Sequence, residues 1–226
     1  MDGGTAVGIK NLMKEKGWTI DIAVVAAILI IFTGVFICWG TIKSVNFCDE
    51  IYTYILSNSD NEFLTYQLES QRWYSGEEIN RILSATDGFH FGQVMLNNKG
   101  DVHPPMYYFV IHFLSVLCTG SSSKWIALAA NWLFAVVSLI VLYALIEQIT
   151  GKRLISICAC LIYITSPAVV STNMFLRMYG MFSMWVLLFV YVTWLLEKKT
   201  DGEKKWHLYV LLGAVTVDLV SKRKKG

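Results

Sequence analysis

Apolar runs long enough to cross a bilayer dominate the pattern of hydrophobic and polar positions along this chain. Residues 22–42 and residues 125–146 contain no charged side chain. A helix needs about 20 predominantly apolar residues to cross the hydrocarbon core of a membrane. Each of these two runs therefore predicts one spanning helix. The first is also too long for the apolar core of a cleavable signal peptide, and no small-residue cleavage site follows it.

The apolar stretch 154–196 is interrupted by a single charged residue, Arg177. At 43 residues it is about twice as long as one crossing requires. Pro167 and the polar sequence Ser-Thr-Asn at 171–173 mark a turn inside it. The stretch therefore predicts two spans, near 154–170 and 177–196.

The last apolar run, residues 206–217, has only 12 charge-free residues before Asp218. The basic segment 218–226 follows it. This pattern predicts an incomplete span and a basic tail. We expect from it a truncated chain that carries the N-terminal half of a larger bundle.

Composition supports a membrane protein and excludes several other classes. Of the 226 residues, 55% are hydrophobic and only 16% are charged, against about 25% in a soluble domain. A disordered chain would be far more polar, and a net charge of +2 gives no basic footprint for nucleic acid. Of the five cysteines only Cys48 lies in a polar segment, so neither a disulfide framework nor a zinc site is indicated.

The distribution of charge predicts the orientation of the spans. Segment 43–124 holds nine acidic residues and five basic ones. If residues 104–118 form a juxtamembrane helix and do not span, the basic loops share one side with the N-terminal residues 1–21, as the positive-inside rule requires. The predicted fold is thus an all-α polytopic bundle over 125–217. It has a cytoplasmic N-terminus and a large first extracytoplasmic loop, 43–124.

Two further sequence features predict local structure in and around this loop. Ser75 and Glu78 match a capping box, which predicts a short amphipathic helix near 76–85. Four tyrosines near the membrane surface are typical of an interfacial aromatic belt. They are Tyr52, Tyr54, Tyr107 and Tyr108.

This topology brings candidate catalytic groups to one membrane face. Asp49 and Glu50 follow the first span, His103 precedes two prolines, and Arg177 lies between two spans. A carboxylate can take a proton from a hydroxyl nucleophile. An arginine recognises phosphate and usually faces a cavity or a partner when it lies in a membrane. A site for a lipid phosphate and a hydroxyl acceptor would need these groups together.

Simpler explanations of the same residues stay open at this point. Asp49 and Glu50 could be solvated acids that cap a loop helix. Arg177 could extend to the lipid head groups, and His103 could be an ordinary loop histidine. The spacing of these residues does not separate the two sets of explanations.

Three motifs resemble those of GT-C glycosyltransferases, and they do so in the same order. Cys48-Asp-Glu-Ile-Tyr52 resembles the Asp-Glu motif of the first external loop, and Asp101-Val-His-Pro-Pro-Met-Tyr-Tyr-Phe109 resembles D-V-H-P-P-L-Y-Y. Phe175-Leu-Arg-Met-Tyr179 resembles a later motif, Q-E-A-R-x-Y, with Asn173 and Phe175 departing from its first part. The resemblance covers residues from about 18 to 212. It is closest to the protein O-mannosyltransferase-like branch, which includes relatives of rhizobial galacturonosyltransferases.

The resemblance implies inverting sugar transfer from a polyprenyl-phosphate-linked donor to a protein, lipid or glycan acceptor, outside a bacterial plasma membrane. It implies that Asp49 is the catalytic base and Glu50 its supporting carboxylate. His103, Arg177 and Tyr179 would bind the donor and its phosphate. Supporting positions would be Asp101, Pro104, Pro105 and Tyr107.

A bound metal ion and two other functions stay open as alternatives. A divalent cation at Asp49 and Glu50 is compatible with the acidic pair, but no further ligand cluster supports it. A transporter or flippase fragment would use the same charges to line a polar path. A non-catalytic membrane scaffold would keep them without any transfer activity.

Overall fold

A computed structural model describes five stretches of the chain, residues 22–59, 72–85, 88–101, 103–198 and 206–220. These stretches contain helices and connecting turns, and no strand occurs within them. The predicted all-α membrane bundle is therefore confirmed. The predicted N-terminal segment 1–21, the end of the basic tail and four of the loop acids lie outside the described residues. Those acids are Asp60, Glu62, Glu69 and Asp87.

Ten α-helices occur in the described part of the chain. In order they are α1 (Ile22–Ile42), α2 (Cys48–Asn58), α3 (Gly76–Leu83), α4 (Phe91–Asn97), α5 (Met106–Leu117), α6 (Lys124–Thr150), α7 (Arg153–Thr165), α8 (Pro167–Met174), α9 (Tyr179–Lys198) and α10 (Trp206–Val220). A 3₁₀ turn, Asn98–Gly100, follows α4.

Three of these helices, α1, α6 and α9, are long and apolar enough to cross a membrane. Helices α7 and α8 meet the same test only as a pair, and their axes bend by 56° at Ser166. Pro167 opens α8 at its first position, where a missing N–H costs nothing. Where the sequence predicted one span near 154–170, the structure has this bent pair, which continues to Met174.

Helix α5 has 12 residues and is therefore about 18 Å long. That is well short of the roughly 30 Å of a hydrocarbon core. Helix α10, with 15 residues, is also too short to meet the length for a span. Helix α3 begins at the predicted capping box, since Ser75 and Glu78 bond each other's backbone N–H. Helices α2 and α4 were not predicted.

Helix α6 forms the centre of the bundle and packs against α1, α5, α7, α8 and α9. Small side chains allow these close approaches, and Ala127, Ala130 and Ala135 are buried on it. At its start, a Cβ on Gly40 of α1 would lie 2.9 Å from two ring carbons of Trp125, so a larger residue there would displace the ring. The short helices α2 and α5 pack on this same end of the bundle.

The predicted interfacial belt of four tyrosines is wrong for three of them. Tyr54, Tyr107 and Tyr108 are buried within the protein, and only Tyr52 is exposed. The Tyr54 hydroxyl donates to the carbonyl of Ser123 at 2.7 Å and accepts from the N–H of Ala127. Burial raises the pKa of Tyr54, so the hydroxyl stays protonated and joins α2 to the start of α6.

Candidate functional site

The carboxylate of Glu50 joins three separate segments of the chain. Its side chain is fully buried, and both oxygens lie 2.9 Å from Nζ of Lys43, at the end of α1. It also accepts the N–H of Phe47, which caps α2, at 2.7 Å. Its Oε1 accepts the N–H of Leu176 at 2.8 Å. Glu50 is thus not a solvated acid: a cation and two backbone donors satisfy it within the fold.

Arg177 lies in the four-residue link between α8 and α9, directly after Leu176. Its side chain is buried, and Nη1 donates to the backbone carbonyl of Asp49 at 3.1 Å. Its Nε has no hydrogen-bond partner among the described residues. Arg177 therefore points into the protein beside Asp49 and does not extend to the lipid head groups.

A hydrogen-bonded cluster forms at the start of α5. It joins Asp101 and His103, which precede the helix, to Tyr108 in its first turn. The Tyr108 hydroxyl donates to Oδ2 of Asp101 at 2.7 Å. Burial and this carboxylate both raise the pKa of Tyr108, so the donor keeps its proton. Nδ1 of His103 lies 3.1 and 3.2 Å from the two Asp101 oxygens. Because a carboxylate only accepts, Nδ1 carries the proton in this contact.

The same cluster touches Arg177. Its Nη2 lies 3.4 Å from Nδ1 of His103. With Nδ1 protonated toward Asp101, this approach is an electrostatic contact and not a hydrogen bond. The three motifs singled out in the sequence therefore meet at one end of the bundle, through the contacts of Arg177 with the Asp49 backbone and with His103.

Asp49 differs from Glu50 in its exposure to solvent and in its hydrogen-bond partners. It lies in the first turn of α2, it is exposed, and its carboxylate makes no hydrogen bond or ion pair with the described residues. An unpaired carboxylate can accept a proton without losing a structural bond. Of the two acids, Asp49 is therefore the one able to act as a base.

An open cavity of about 450 Å³ lies between the end of α1 and the segment from α8 to the start of α9, and Lys43, the partner of Glu50, lines it. Lys43, Ser44, Ser171 and Thr172 give it polar walls. Aromatic rings line its other side. The ring of Tyr179 stacks on Phe175, with centroids 5.8 Å apart and 9° between the planes, and Phe47 meets Phe175 edge-on. Tyr179 thus lines the cavity, and its role in binding the donor stays a prediction.

The remaining predicted residues hold the start of α5. Pro105 directly precedes the helix, and Pro104 comes before it. The hydroxyl of Tyr107 donates to Oδ1 of Asn131, on α6, at 3.0 Å. Burial raises the pKa of Tyr107, which keeps this donor protonated. These residues fix the His103 segment against the bundle.

Sequence reasoning did not identify three partners in this site. Lys43 neutralises Glu50, the Leu176 N–H reaches it from 126 residues away, and Asn131 holds the α8–α9 link. A polar residue inside an otherwise apolar span, such as Asn131, was the one signal available.

The predicted divalent cation has no additional ligands around the acidic pair. No group of three His, Cys, Asp or Glu side chains that could hold a metal ion occurs in the described part of the chain. A cation bound to Glu50 would compete with Lys43, which contacts both of its oxygens. A divalent ion at Asp49 and Glu50 stays a prediction.

Comparisons with known proteins identify a family. Neither the curated proteins nor the solved structures include a match. A family model described as dolichyl-phosphate-mannose-protein mannosyltransferase matches residues 102–224, more than half of the chain. The match includes His103 and Arg177 and begins after Asp49 and Glu50. The chain, with its membrane-spanning helices, therefore belongs to the dolichyl-phosphate-mannose-protein mannosyltransferase family.

Proposed function

We propose that this chain carries the catalytic site of an inverting glycosyltransferase. Its donor would be a sugar linked to a polyprenyl phosphate. Its acceptor would be a hydroxyl group of a protein, lipid or glycan on the outer face of a bacterial plasma membrane. The family supports the reaction class. The contacts among the three motifs support the assignment of residues.

The observation that carries this proposal is the pair of contacts that join the Asp49 segment to the Arg177 segment. Glu50 accepts the N–H of Leu176, and Arg177 donates to the carbonyl of Asp49. An exposed acid in the first turn of α2 is thereby held next to the link that carries a buried cation. The nearby cavity is lined by Phe47 and Phe175, which lie two residues before Asp49 and two residues before Arg177 in the chain. We place the nucleophile and the phosphate between this cavity and the two charged groups.

The chemical step follows from these positions. Asp49 accepts the proton of the acceptor hydroxyl as its oxygen attacks the anomeric carbon. A new glycosidic C–O bond forms, and the bond from the anomeric carbon to the phosphate oxygen breaks. The electron pair leaves with the polyprenyl phosphate. Arg177 stabilises the negative charge on that phosphate through N–H groups not used in the fold, including Nε.

The cavity has the lining that a sugar linked to a lipid requires. Hydroxyl groups of Ser171 and Thr172 can bond sugar hydroxyls, and the stacked rings of Phe175 and Tyr179 present an apolar surface. Lys43 adds a positive charge at its edge. We assign the donor head group to this cavity.

The structure also supports the proposed orientation. The start of α6 lies at the site, where Lys124 donates to the carbonyl of Lys43. The other end of α6 contacts Lys198, whose Nζ donates to the carbonyl of Gln148 at 2.8 Å. The basic residues of that end fit the cytoplasmic side under the positive-inside rule. The site would then face outward and the N-terminus would be cytoplasmic.

Sugar transfer in membranes from cells expressing the chain tests this function. A panel of radiolabelled polyprenyl-phosphate sugars would be supplied to wild type, Arg177→Ala and Arg81→Ala. Arg81 is an exposed arginine on α3 and serves as the matched control. We expect transfer from at least one donor, lost in Arg177→Ala and retained in Arg81→Ala. Absence of transfer from every donor, or equal transfer by the two variants, would overturn the proposal.

A further inference from the structure

Asn131 is a fully buried polar residue inside the spanning helix α6. It lies seven residues after Lys124, about 10 Å along the helix axis. Polar side chains inside spans are costly and mark functional positions more often than others do. Asn131 belongs to none of the three motifs.

The Nδ2 group of Asn131 bonds both the end of α8 and the link that carries Arg177. Nδ2 donates to the carbonyl of Asn173 and to the carbonyl of Phe175, both at 2.9 Å. Helix α8 ends at Met174, so carbonyls in this region lack the partners that a continuing helix would provide. The side chain of Asn131 supplies them where water is scarce.

The same amide reaches the His103 segment. Its Oδ1 accepts the Tyr107 hydroxyl at 3.0 Å. Asn131 therefore bonds α5 and the α8–α9 link at once, from the rigid centre of the bundle. A methyl group at Gly180, the second residue of α9, would already lie 3.2 Å from Oδ1 of Asn173, so little space remains for the link to shift.

We infer that Asn131 is a positioning residue for sugar transfer: it fixes the link that presents the Leu176 N–H to Glu50 and places Arg177 beside Asp49. The inference rests on the proposed transferase function. Asn131 does not touch the cavity and is not a catalytic residue. Its loss removes the side-chain donor to the Asn173 carbonyl and leaves the Phe175 carbonyl with only the Arg177 N–H. The link can then relax, which displaces Arg177 and Asp49 relative to each other.

Amide hydrogen exchange and transfer kinetics, both measured on the full chain in detergent or lipid, test whether Asn131 positions the link. Two variants and one control are needed. Asn131→Asp keeps the size and the acceptor for Tyr107 but loses the paired N–H donors. Asn131→Leu is a second, uncharged variant in case the first fails to fold. Ser138→Ala is the control, because it removes another buried polar group of α6, a hydroxyl that donates to the carbonyl of Phe134 in its own helix.

Hydrogen exchange and kinetics should change together. We expect amide exchange across residues 173–178 to become about tenfold faster in the Asn131 variants, from the loss of two hydrogen bonds. We expect kcat to fall about 10- to 100-fold, since misplacement by about 1 Å can cost about 100-fold. The donor KM should stay within about twofold of wild type. Ser138→Ala should change neither exchange nor kcat.

The outcomes separate this inference from the proposed function. Unchanged exchange across 173–178 would show that Asn131 does not hold the link. Faster exchange with unchanged kcat would show a purely structural role. Either result overturns the inference. A wild-type chain without any transfer would defeat the proposed function and with it the catalytic part of the inference, while the exchange result still decides whether Asn131 fixes the link.

Discussion

The carboxylate of Glu50 accepts the backbone N–H of Leu176 at 2.8 Å, across 126 residues of sequence. This bond joins the first turn of α2 to the link between α8 and α9. Asp49 immediately precedes one partner, and Arg177 immediately follows the other. The proposed base and the proposed phosphate-binding residue are therefore held together by this contact between their neighbours and by the bond from Nη1 of Arg177 to the Asp49 carbonyl.

Removing the counter-ion of Glu50 should destabilise the fold. Lys43→Met leaves a fully buried carboxylate with backbone donors only, and loss of one partner of such a pair costs about 3 kcal/mol. We expect a lower thermal midpoint of the purified protein than in wild type. Adding Glu50→Gln should recover part of the loss, because the buried charge is then gone. A double variant no more stable than Lys43→Met would contradict the pairing.

The Asp101 carboxylate should orient His103 for catalysis. Asp101→Asn replaces one acceptor oxygen with a donor and disturbs the contact with Nδ1 of His103. A hydrogen bond to a charged group contributes about 1.5–3 kcal/mol, which corresponds to a loss of about 10- to 100-fold in kcat/KM. Tyr108→Phe removes a different bond to Asp101 and should lose less. Unaltered kcat/KM in Asp101→Asn would show that the histidine needs no such orientation.

The start of α3 should weaken in acid. The backbone N–H and the hydroxyl of Ser75 bond Glu78 and hold its pKa below the ordinary 4.5. A lowered folded-state pKa means that the stabilisation is present above pH 4.5 and is lost as the pH falls through the folded value. We expect protection of residues 76–83, measured by amide exchange corrected for intrinsic rates, to fall below about pH 4.5. Glu78→Gln should remove this dependence, and a dependence that survives would contradict it.

The native cysteines offer a test of orientation. Cys48 and Cys118 are exposed and flank the short helices α2 and α5, at the end of the bundle that bears the site. A membrane-impermeant maleimide should label them in intact cells. A Cys48→Ser/Cys118→Ser variant should lose this labelling, and a cysteine placed at Gly151, at the other end of α6, should react only after permeabilisation. Labelling of Gly151→Cys in intact cells would reverse the orientation.

The apolar runs and the motifs predicted the helical bundle and the main candidate residues. Charge-free length is read directly from sequence, so α1 begins and ends where the first span was predicted. The partner of Glu50 was not predictable, because a backbone N–H has no sequence signature. It becomes free only where α8 ends and α9 has not begun. Composition also could not show that Tyr107 and Tyr108 face the protein and not the lipid, since either side suits an aromatic ring.

Single-turnover sugar transfer by Asp49→Asn, measured against Glu77→Gln, tests the central claim most directly. Each variant removes one exposed acidic charge from the same loop, and Glu77, in the first turn of α3, belongs to none of the three motifs. General-base catalysis contributes about 100- to 10,000-fold in rate. We expect Asp49→Asn to lose at least about 100-fold and Glu77→Gln to stay within about twofold of wild type. Equal rates for Asp49→Asn and wild type would contradict the assignment of Asp49 as the base.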